Sequence, residues 1–335
     1  MVTAVFTIAQ VGPHSSVQDG GRRGLMRFGV PASGPMDRAA CTAANVALGN
    51  PPDAPALEVS IGGLALDCVE GAITLAVAGG GFQVAIGVVR TAPWTVATIS
   101  AGSRLTIRPG ASGSWCYLAF AGTLRARRWL SSASTHELSG FGGGMLTPGA
   151  RIVVDGADLR EDREGEIRQP ASVDPSTAIR VVLGPQDRFF PAEAIDTLLS
   201  QPFALTDAYD RMGVRLSGPR LGVNAALDMP SEAVARGSEQ VAGDGVATVL
   251  LADHQTTGGY PKIATVISAD FDRFAQLRSR NSVRFACVTP AAAIGAARRR
   301  HEDLGSYLAS IATPAGSLAE RLHAANLIGG VVDGR

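Results

Sequence analysis

The densest group of chemically useful side chains follows a short apolar run in the last third of the chain. Thr248–Ala252 leads directly into the sequence Asp-His-Gln-Thr-Thr-Gly-Gly at 253–259. Carboxylates and imidazoles serve as general acids and bases, and paired glycines let the backbone approach a ligand closely. We predict that Asp253–Lys262 is a polar loop that binds a small ligand; a Thr/Gly hairpin turn is the alternative. The catalytic candidates are Asp253 and His254, and the substrate-binding candidates are Gln255, Thr256 and Thr257.

Lys262, at the end of this segment, is the only lysine in a chain with 30 lysine and arginine residues in total. Lysine differs from arginine in a site because its pKa shifts readily on burial. We therefore include Lys262 among the catalytic candidates. A coding preference for arginine is an alternative explanation, as is a structural ion pair on the strand predicted at Ile263–Ser268.

A second polar segment lies near the N-terminus, at Gln18-Asp19-Gly20-Gly21-Arg22-Arg23-Gly24. It places an amide, a carboxylate and guanidinium groups in one flexible loop, which can present donors to a carboxylate or carbonyl of a ligand. Gln18, Asp19 and Arg22 are therefore substrate-binding candidates. A hairpin turn with a local Asp–Arg pair is the alternative.

Three further charged residues, Asp37, Arg211 and Glu58, each have a structural and a functional interpretation. Asp37 begins a predicted helix, where capping is the ordinary explanation. Arg211 either holds a substrate carboxylate or pairs with its neighbour Asp210. We count Asp37 and Arg211 as substrate-binding candidates. Glu58 either is buried with a raised pKa or faces water.

The composition excludes several classes of protein. The formal net charge is zero, with 30 basic and 30 acidic residues, which argues against general attraction to nucleic acid or to an anionic membrane. There is no apolar run of roughly 18 residues and no signal-peptide pattern, so we expect a cytoplasmic protein. The four cysteines lie far apart without a CxxC pair, so no metal site is predicted.

Short apolar runs between the 40 glycines and 19 prolines predict a mainly β fold with minor α. The predicted strands are Thr74–Ala78, Trp115–Phe120, Arg151–Val154, Arg180–Leu183, Thr248–Ala252, Ile263–Ser268 and Val283–Val288. The predicted helices are Met36–Leu48, Ala192–Ser200, Phe271–Gln276 and Pro290–Arg300.

A charge-rich stretch, Gly156–Ser176, separates two β-rich halves of the 335 residues. We predict an N-terminal β-barrel-like module with one helix at 1–155, a linker at 156–177, a C-terminal β-barrel module at 178–290 and a helical, partly mobile tail at 291–335. Two pairs of similar segments occur in the same order: Gly29–Pro35 with Gly213–Pro219, and Gly71–Ala78 with Gly245–Ala252. They predict an internal duplication.

Nucleotide and biotin motifs are missing from the sequence. It contains no GxxxxGK[ST], no GxGxxG between a clear strand and helix, no GxSxG and no Met-Lys-Met. ATP or biotin chemistry therefore requires another chain.

An ordered series of motifs runs from about Val11 to Val288. It comprises Gln18-Asp19-Gly20-Gly21-Arg22, Phe28-Gly29-Val30-Pro31, Ser33-Gly34-Pro35-Met36-Asp37, Ala44-Asn45, Gly49-Asn50-Pro51, Leu57-Glu58, Gly184-Pro185-Gln186, Asp210-Arg211-Met212-Gly213-Val214-Arg215-Leu216 and Gln255-Thr256-Thr257-Gly258-Gly259-Tyr260-Pro261. Together these motifs resemble the family named variously the C-type subunit of 5-oxoprolinase, allophanate hydrolase subunit 2 and biotin-dependent carboxyltransferase-like protein.

The resemblance implies two cyclophilin-like β-barrel modules and a heteromeric complex. The implied partners are a B-type subunit of the same complex, which shares the substrate site, and a lactam-opening third subunit. Such a complex cleaves 5-oxoproline to glutamate with ATP, because the resonance-stabilised lactam resists hydrolysis until its oxygen is activated. Related domains carboxylate urea and imply biotin, supplied by a partner.

Three segments depart from the family pattern. His254 stands where an arginine is expected, Leu130–Thr135 lacks a Gly and an Arg before its Ser-Thr, and Gln240–Gly245 lacks a pair of prolines. The leading hypothesis is a subunit of an ATP-dependent 5-oxoprolinase that is inactive without its partners. The alternatives are a carboxyltransferase-like component acting on urea or another amide, and a non-catalytic regulatory protein.

Overall fold

A computed structural model of the chain describes residues 2–171, 174, 176–224 and 229–312. Strands up to Glu166 form a seven-stranded and a six-stranded sheet, whereas strands from Ile179 onward form an eight-stranded sheet and a two-stranded one. The mainly β architecture with barrel-like sheets is therefore confirmed.

The first group of strands builds the sheets of the N-terminal half. These strands are β1 (Thr3–Val11), β2 (Ser16–Gln18), β3 (Ala56–Ser60), β4 (Leu64–Glu70), β5 (Ala72–Ala78), β6 (Gln83–Ile86), β7 (Val89–Thr91), β8 (Thr95–Ser100), β9 (Arg104–Arg108), β10 (Trp115–Phe120), β11 (Thr123–Leu124), β12 (Arg151–Asp155) and β13 (Gly165–Glu166). The sheet orders are β11-β12-β1-β4-β9-β6-β7 and β13-β8-β5-β10-β3-β2. The central strands β5 and β10 are almost entirely apolar because both of their faces are buried.

The second group builds the C-terminal half. Its strands are β14 (Ile179–Leu183), β15 (Phe203–Tyr209), β16 (Gly213–Ser217), β17 (Glu232–Ala233), β18 (Ser238–Val241), β19 (Ala247–Leu250), β20 (Thr257–Gly258), β21 (Lys262–Val266), β22 (Ser282–Val283) and β23 (Phe285–Cys287). The large sheet has the order β22-β15-β16-β19-β18-β21-β14-β23, and β17 pairs with β20. In β16, Val214 and Leu216 face the core while Arg215 points outward, so this part of the sheet presents a polar outer face.

Four α-helices occur within the described residues. They are α1 (Arg38–Leu48), α2 (Ala192–Ser200), α3 (Ser268–Ala275) and α4 (Pro290–Ala312). The alanine-rich α1 is almost fully buried and packs on β5, β10 and α4, because small side chains allow close approach. None of the described helices is long and apolar enough to span a membrane.

Most predicted elements exist, but several of their ends differ. The helix predicted from Met36 begins at Arg38, because Asp37 is its N-cap and accepts a hydrogen bond from the Ala40 N–H at 2.9 Å. Gly49, in the left-handed region at φ 77°, ends it as expected.

The remaining differences lie in the C-terminal half. The strand predicted at Thr248–Ala252 ends at Leu250, and that predicted at Val283–Val288 is two short strands, β22 and β23. Ser268, predicted at the end of a strand, begins α3. The last predicted helix continues beyond Arg300 to Ala312 because apolar side chains such as Tyr307 keep it packed on the core.

The proposed module boundaries at 1–155, 156–177, 178–290 and 291–335 stay a prediction. Within the proposed linker, β13 pairs with β8, and residues 313–335 of the proposed tail lie outside the described residues. The duplication also stays a prediction: Gly71–Ala78 and Gly245–Ala252 both contain strands, but Gly29–Pro35 is a loop where its counterpart contains β16.

Candidate functional site

Arg211 joins the two halves of the molecule. It lies between β15 and β16, and its side chain is completely buried. Its Nε and Nη2 atoms each donate to one carboxylate oxygen of Asp253 at 3.0 Å. Its Nη1 donates to Glu58 on β3, and Nη2 also donates to the Gly34 carbonyl at 2.8 Å. One forked cation therefore donates to two carboxyl groups, one from each half, and we call these three side chains the junction.

Glu58 and Asp253 respond differently to burial beside this cation. Burial raises the pKa of Glu58, although Arg211, the Met36 N–H at 2.7 Å and the Tyr117 hydroxyl at 2.8 Å oppose the rise. Burial acts the same way on Asp253, but there the Arg211 guanidinium outweighs it and lowers the pKa. Asp253 is thus an ionised acceptor whose oxygens are already engaged.

The predicted alternative of a loop ion pair between Asp210 and Arg211 is wrong. Asp210 instead accepts from the backbone N–H groups of Met212 and Gly213, at 2.7 and 3.0 Å.

Asp253 is also held by a loop of the N-terminal half. The Glu137 N–H donates to its Oδ2 at 3.0 Å. His136 approaches the Asp253 carbonyl through Nε2 at 3.4 Å, and its Nδ1 lies 2.7 Å from the Ser139 hydroxyl. Because a carbonyl only accepts, Nε2 carries the proton of this imidazole. The position of Asp253 therefore depends on where this loop lies.

The same loop encloses the polar segment near the N-terminus. Asp19 accepts from the Ser132 hydroxyl at 2.6 Å, the Ala133 N–H at 2.6 Å and the Ser134 hydroxyl at 2.7 Å. Burial raises the pKa of Asp19, but these donors outweigh it and lower the pKa overall. Gln18 donates to the Thr135 carbonyl at 3.1 Å.

Arg22 lies beneath this loop. Its Nη2 donates to the Ser134 carbonyl, and its guanidinium carbon is 5.0 Å from the ring centroid of Trp129. Nε and Nη1 are buried without an acceptor among the described residues. Gln18, Asp19 and Arg22 are all buried, because the 132–135 backbone covers them. Substrate binding by these three residues stays a prediction.

Asp37 caps α1 and is connected to the junction only indirectly. Its side chain accepts from the Gln276 amide at 2.8 Å, and its N–H donates to the Tyr117 hydroxyl at 2.7 Å. Burial, reinforced by Asp272, raises the pKa of Asp37 to about 7. Helix capping and these two tertiary hydrogen bonds occupy Asp37, and substrate binding by Asp37 stays a prediction.

A groove of about 660 Å³ lies over the polar outer face of the C-terminal sheet. That volume is within the range of small-molecule sites. The groove is lined by His14, Asp207, Ala208, Tyr209, Asp210, Met212, Gly213, Arg215, Gln240, Ala242, Val246, Thr248, Leu250, Gln255 and Tyr260. The Gln255 amide donates to the Gln240 carbonyl oxygen at 3.0 Å, so these two glutamines form a joint polar wall.

Lys262 stands beside this wall. It pairs directly with Gln240 across the β18–β21 ladder, which places both side chains on one face of the sheet. Its side chain is buried, and Nζ has no hydrogen-bond partner among the described residues. Burial lowers the pKa of Lys262, although Glu232 opposes this. The structural ion pair considered as an alternative is not formed by any described residue.

His254 is buried, so it is not the ordinary surface histidine that a lone loop imidazole often is. In the chain it stands between Asp253 of the junction and Gln255 of the groove lining. Burial lowers its pKa, which favours the neutral ring. Its Nδ1 lies 2.6 Å from the Gln255 carbonyl, so Nδ1 carries the proton and the lone pair is on Nε2. This is the tautomer and charge state of a general base.

Gln186 and Glu232 complete the surroundings of Lys262. Gln186 accepts from the Lys262 N–H at 2.9 Å and donates to Glu232 at 2.6 Å. Glu232 belongs to β17, which pairs with β20 and its exposed Thr257. Thr257 therefore belongs to the short β17–β20 ribbon, and Thr256, just before it, accepts from the Val234 N–H at 3.1 Å. No hydrogen bond among the described residues joins either residue to the junction.

The candidate residues form two groups. Arg211 and Asp253 are joined by hydrogen bonds, with Arg22 and Asp19 in the adjoining loop. Gln255 lines the groove, whereas Lys262 is paired with the lining residue Gln240 and is not itself part of the lining. Sequence reasoning did not single out His136, Glu137, Gln240 or Glu232. The run of three polar residues in the strand Ser-Glu-Gln-Val at 238–241 was the available signal for Gln240.

Comparison with known proteins identifies the family to which this fold and this site belong. Residues 28–287 match the family described as the carboxyltransferase domain, subdomain A and B. The chain belongs to this family.

Among individual proteins, the chain is 32% identical to the C-type subunit of the Escherichia coli 5-oxoprolinase, over 84% of this chain and 90% of that protein. It is 31% identical to the corresponding C-type subunit from Haemophilus influenzae, over 85% and 92%. The solved structure of TTHA0988 superposes with a TM-score of 0.75 at 32% identity and covers 84% of this chain; this chain spans only 55% of it. The Kluyveromyces lactis urea amidolyase shares the fold, with a TM-score of 0.81 at 23% identity over 92% of this chain and 20% of that chain.

Proposed function

We propose that this chain is the C-type subunit of a heteromeric ATP-dependent 5-oxoprolinase, which opens the lactam of 5-oxoproline to glutamate. The observation that carries the proposal is Lys262: a buried cationic side chain without a partner among the described residues, beside a groove walled by two amides. The likeness to two proteins named as C-type subunits of 5-oxoprolinase supports the same assignment.

The proposed substrate matches the groups around the groove. 5-Oxoproline has a carboxylate, a lactam carbonyl and a lactam N–H. A lysine ammonium is a charge-assisted donor for the carboxylate, and amide side chains such as those of Gln240 and Gln255 donate to a carbonyl or accept from an N–H. Among the predicted binding residues, Gln255 is the one that lines the groove directly.

The proposed catalytic residues have distinct roles. His254, neutral with its lone pair on Nε2, serves as the base that takes a proton from water or from the lactam. Asp253 is a positioning residue, because its oxygens are occupied by Arg211 and Glu137. Lys262 binds the substrate.

ATP and the partners complete this proposal. A B-type subunit closes the groove and shares the substrate site, and the lactam-opening third subunit supplies ATP-dependent activation of the lactam oxygen. The sequence has no phosphate-binding loop of the GxxxxGK[ST] type, which is why we assign ATP to a partner.

The test is reconstitution. The purified chain is mixed with the B-type and lactam-opening subunits of the same organism, and glutamate release is followed with and without ATP. We expect release only from the complete mixture with ATP, and Arg104→Met, at an exposed ion pair on β9 of the N-terminal half, serves as a control variant that should release glutamate like wild type. No release from the complete mixture contradicts the proposal.

A second candidate is a carboxyltransferase component acting on urea or another amide with biotin supplied by a partner. The observation favouring it is the match to the carboxyltransferase domain family. Carboxylation of urea by the chain together with a biotinylated carrier protein supports this function, and absence of carboxylation rejects it.

A further inference from the structure

An apolar surface with a basic rim lies on the loop that holds Asp253. The surface, called here the Trp129 surface, consists of Trp129, Leu130, Leu138 and Phe141. Leu138 is 78% exposed, Leu130 is 49% exposed and Phe141 is 48% exposed. Trp129 and Phe141 stack with ring centroids 4.4 Å apart, so the exposed groups share one rigid aromatic base.

Leu130 is displayed at the tip of a strained turn. Trp129 and Ser132 form a bridge, and the two residues between them have left-handed backbone angles, with φ of 49° at Leu130 and 64° at Ser131. Neither residue is glycine, and a left-handed conformation is unfavourable for a leucine. A strained turn that exposes a large apolar side chain indicates a surface made for contact.

The rim of the Trp129 surface is basic. Arg127 and Arg128 flank it in sequence, and Arg23 and Arg27 follow Arg22, whose guanidinium lies over the Trp129 ring. Of the nearby carboxylates, Asp19 accepts from the serines described above and also forms an ion pair with Arg128 at 3.8 Å, and Glu137 contacts His14 at 2.7 Å. Arg128 is therefore partly neutralised, although its side chain stays 53% exposed. Arg22 itself retains two guanidinium nitrogens without an acceptor among the described residues.

We propose that the Trp129 surface docks an acidic partner subunit, and that docking fixes the loop which positions Asp253. The partner presents carboxylates to the arginine rim and aliphatic or aromatic side chains to the apolar centre. The inference rests on the proposed function, because it identifies where the B-type subunit binds.

One observation connects docking at the Trp129 surface to Asp253, and a second supports a partner subunit as the molecule that docks. His136 and Phe141 are bridged, and the Glu137 N–H between them donates to Asp253, so a partner on Leu138 and Phe141 orders the backbone that holds the carboxylate. The solved relative TTHA0988 carries almost as much further polypeptide in one chain, since this chain spans 55% of it. The proposed function assigns the counterpart of that further polypeptide to the B-type subunit.

The experiment measures binding of the purified B-type subunit to this chain by titration calorimetry at low and high salt. Leu138→Asp is expected to weaken binding at least about tenfold, because it introduces a carboxylate into an apolar contact facing an acidic partner. The matched control is Val88→Asp, at a side chain 99% exposed in the turn between β6 and β7, and it is expected to bind like wild type. Binding is expected to weaken as salt increases.

The variant Leu130→Gly distinguishes an effect on partner binding from an effect on the stability of the chain. Removing the side chain relieves the left-handed strain, so the urea midpoint of the free chain is expected to rise while partner binding weakens. A merely structural role for Leu130 predicts that both properties change in the same direction.

The outcomes distinguish this inference from the proposed function. Equal binding by wild type, Leu138→Asp and Leu130→Gly overturns the docking surface even if the complex releases glutamate. Loss of binding in both variants without any glutamate release by the wild-type mixture supports the surface and contradicts the proposed reaction. Concentration-dependent self-association abolished by Leu138→Asp assigns the surface to a second copy of this chain and also overturns the inference.

Discussion

The junction around Arg211 and the groove beside Lys262 both bury charged groups, but they treat them in opposite ways. At the junction, the Arg211 guanidinium donates to two carboxyl groups and a backbone carbonyl. The Tyr117 hydroxyl donates to one of these carboxyl groups, that of Glu58. Beside the groove, the Lys262 amine has no hydrogen-bond partner among the described residues, and the buried Glu239 carboxyl, on the other face of β18, has none either.

This difference in pairing distinguishes a structural role for the junction from a ligand-binding role for the groove. A buried charge is tolerated when it is paired and hydrogen-bonded, as Arg211 is. An unpaired buried charge lowers stability, and it persists where another molecule supplies the partner. The junction is therefore the structural support, and the groove is the place where a ligand would complete the set of contacts.

The largest effect is expected from Arg211→Met. The change leaves Glu58 and Asp253 buried without a cation, so we expect a loss of about 3–5 kcal/mol in the free energy of unfolding, measured by urea titration. Arg215→Met, at an exposed pair with Asp244, is the control and is expected to change stability by less than about 1 kcal/mol. A loss at Arg211 no larger than that of the control contradicts the structural role of the junction.

Lys262→Met tests the groove. Because Nζ has no described partner, the urea midpoint of the free chain is expected to stay unchanged or to rise, while kcat/KM of the complex for 5-oxoproline falls about 10- to 100-fold. The change should appear mainly as an increase in KM. A large loss of stability with unchanged KM would show that Lys262 belongs with Arg211 as a structural residue.

Glu239→Gln is expected to change how stability depends on pH. Burial raises the pKa of Glu239 to about 8, against an ordinary value of 4.5. The folded chain therefore retains a proton that the unfolded chain releases, so the contribution of Glu239 to stability is most favourable below pH 4.5 and is lost as pH rises towards about 8. Urea titrations at pH 6, 7 and 8 should show wild type losing about 1 kcal/mol per pH unit relative to the variant. If the stabilities of wild type and Glu239→Gln depend on pH in the same way, Glu239 is not an isolated buried carboxyl with a raised pKa.

The smallest effect is expected from His14→Gln at the edge of the groove. The Glu137 carboxylate raises the pKa of His14, against the opposing effect of burial. The stabilisation is present below pH 6.5 and is lost as pH rises through the raised pKa. Because both side chains are about one-third exposed, the difference between pH 6 and pH 8 should be below about 1 kcal/mol. Thermal melts at the two pH values measure it, and a larger loss at pH 8 than at pH 6 has the wrong sign.

Much of the fold was predictable because it depends on local pattern. The apolar runs at β5 and β10 and the Asp37–Gly49 signals around α1 are readable from neighbouring residues alone. The ends of elements were less predictable: Ser268 begins a helix although it continues an apolar strand pattern, since tertiary contacts decide where the chain turns.

The site was predictable in its residue types but not in its pairing. Asp253 and Arg211 were both candidates, yet their mutual bond and the contact with Glu58 join positions far apart in sequence. His136 and Glu137 gave no local signal, because their importance comes from hydrogen bonds across the junction. The burial of Arg22 was missed for the same reason: the 132–135 segment that covers it is distant along the chain.

The junction also affects how the protein is made. Glu58 and Arg211 are separated by 153 positions, so the ribosome produces the carboxylate long before its cation, by about 8 to 30 s at ordinary elongation rates. During that interval the nascent N-terminal sheets hold an acidic group whose counter-ion in the finished core has not yet been made. We expect the N-terminal half to remain open to chaperones until Arg211 emerges, so that synthesis of the second half completes the folding of the first.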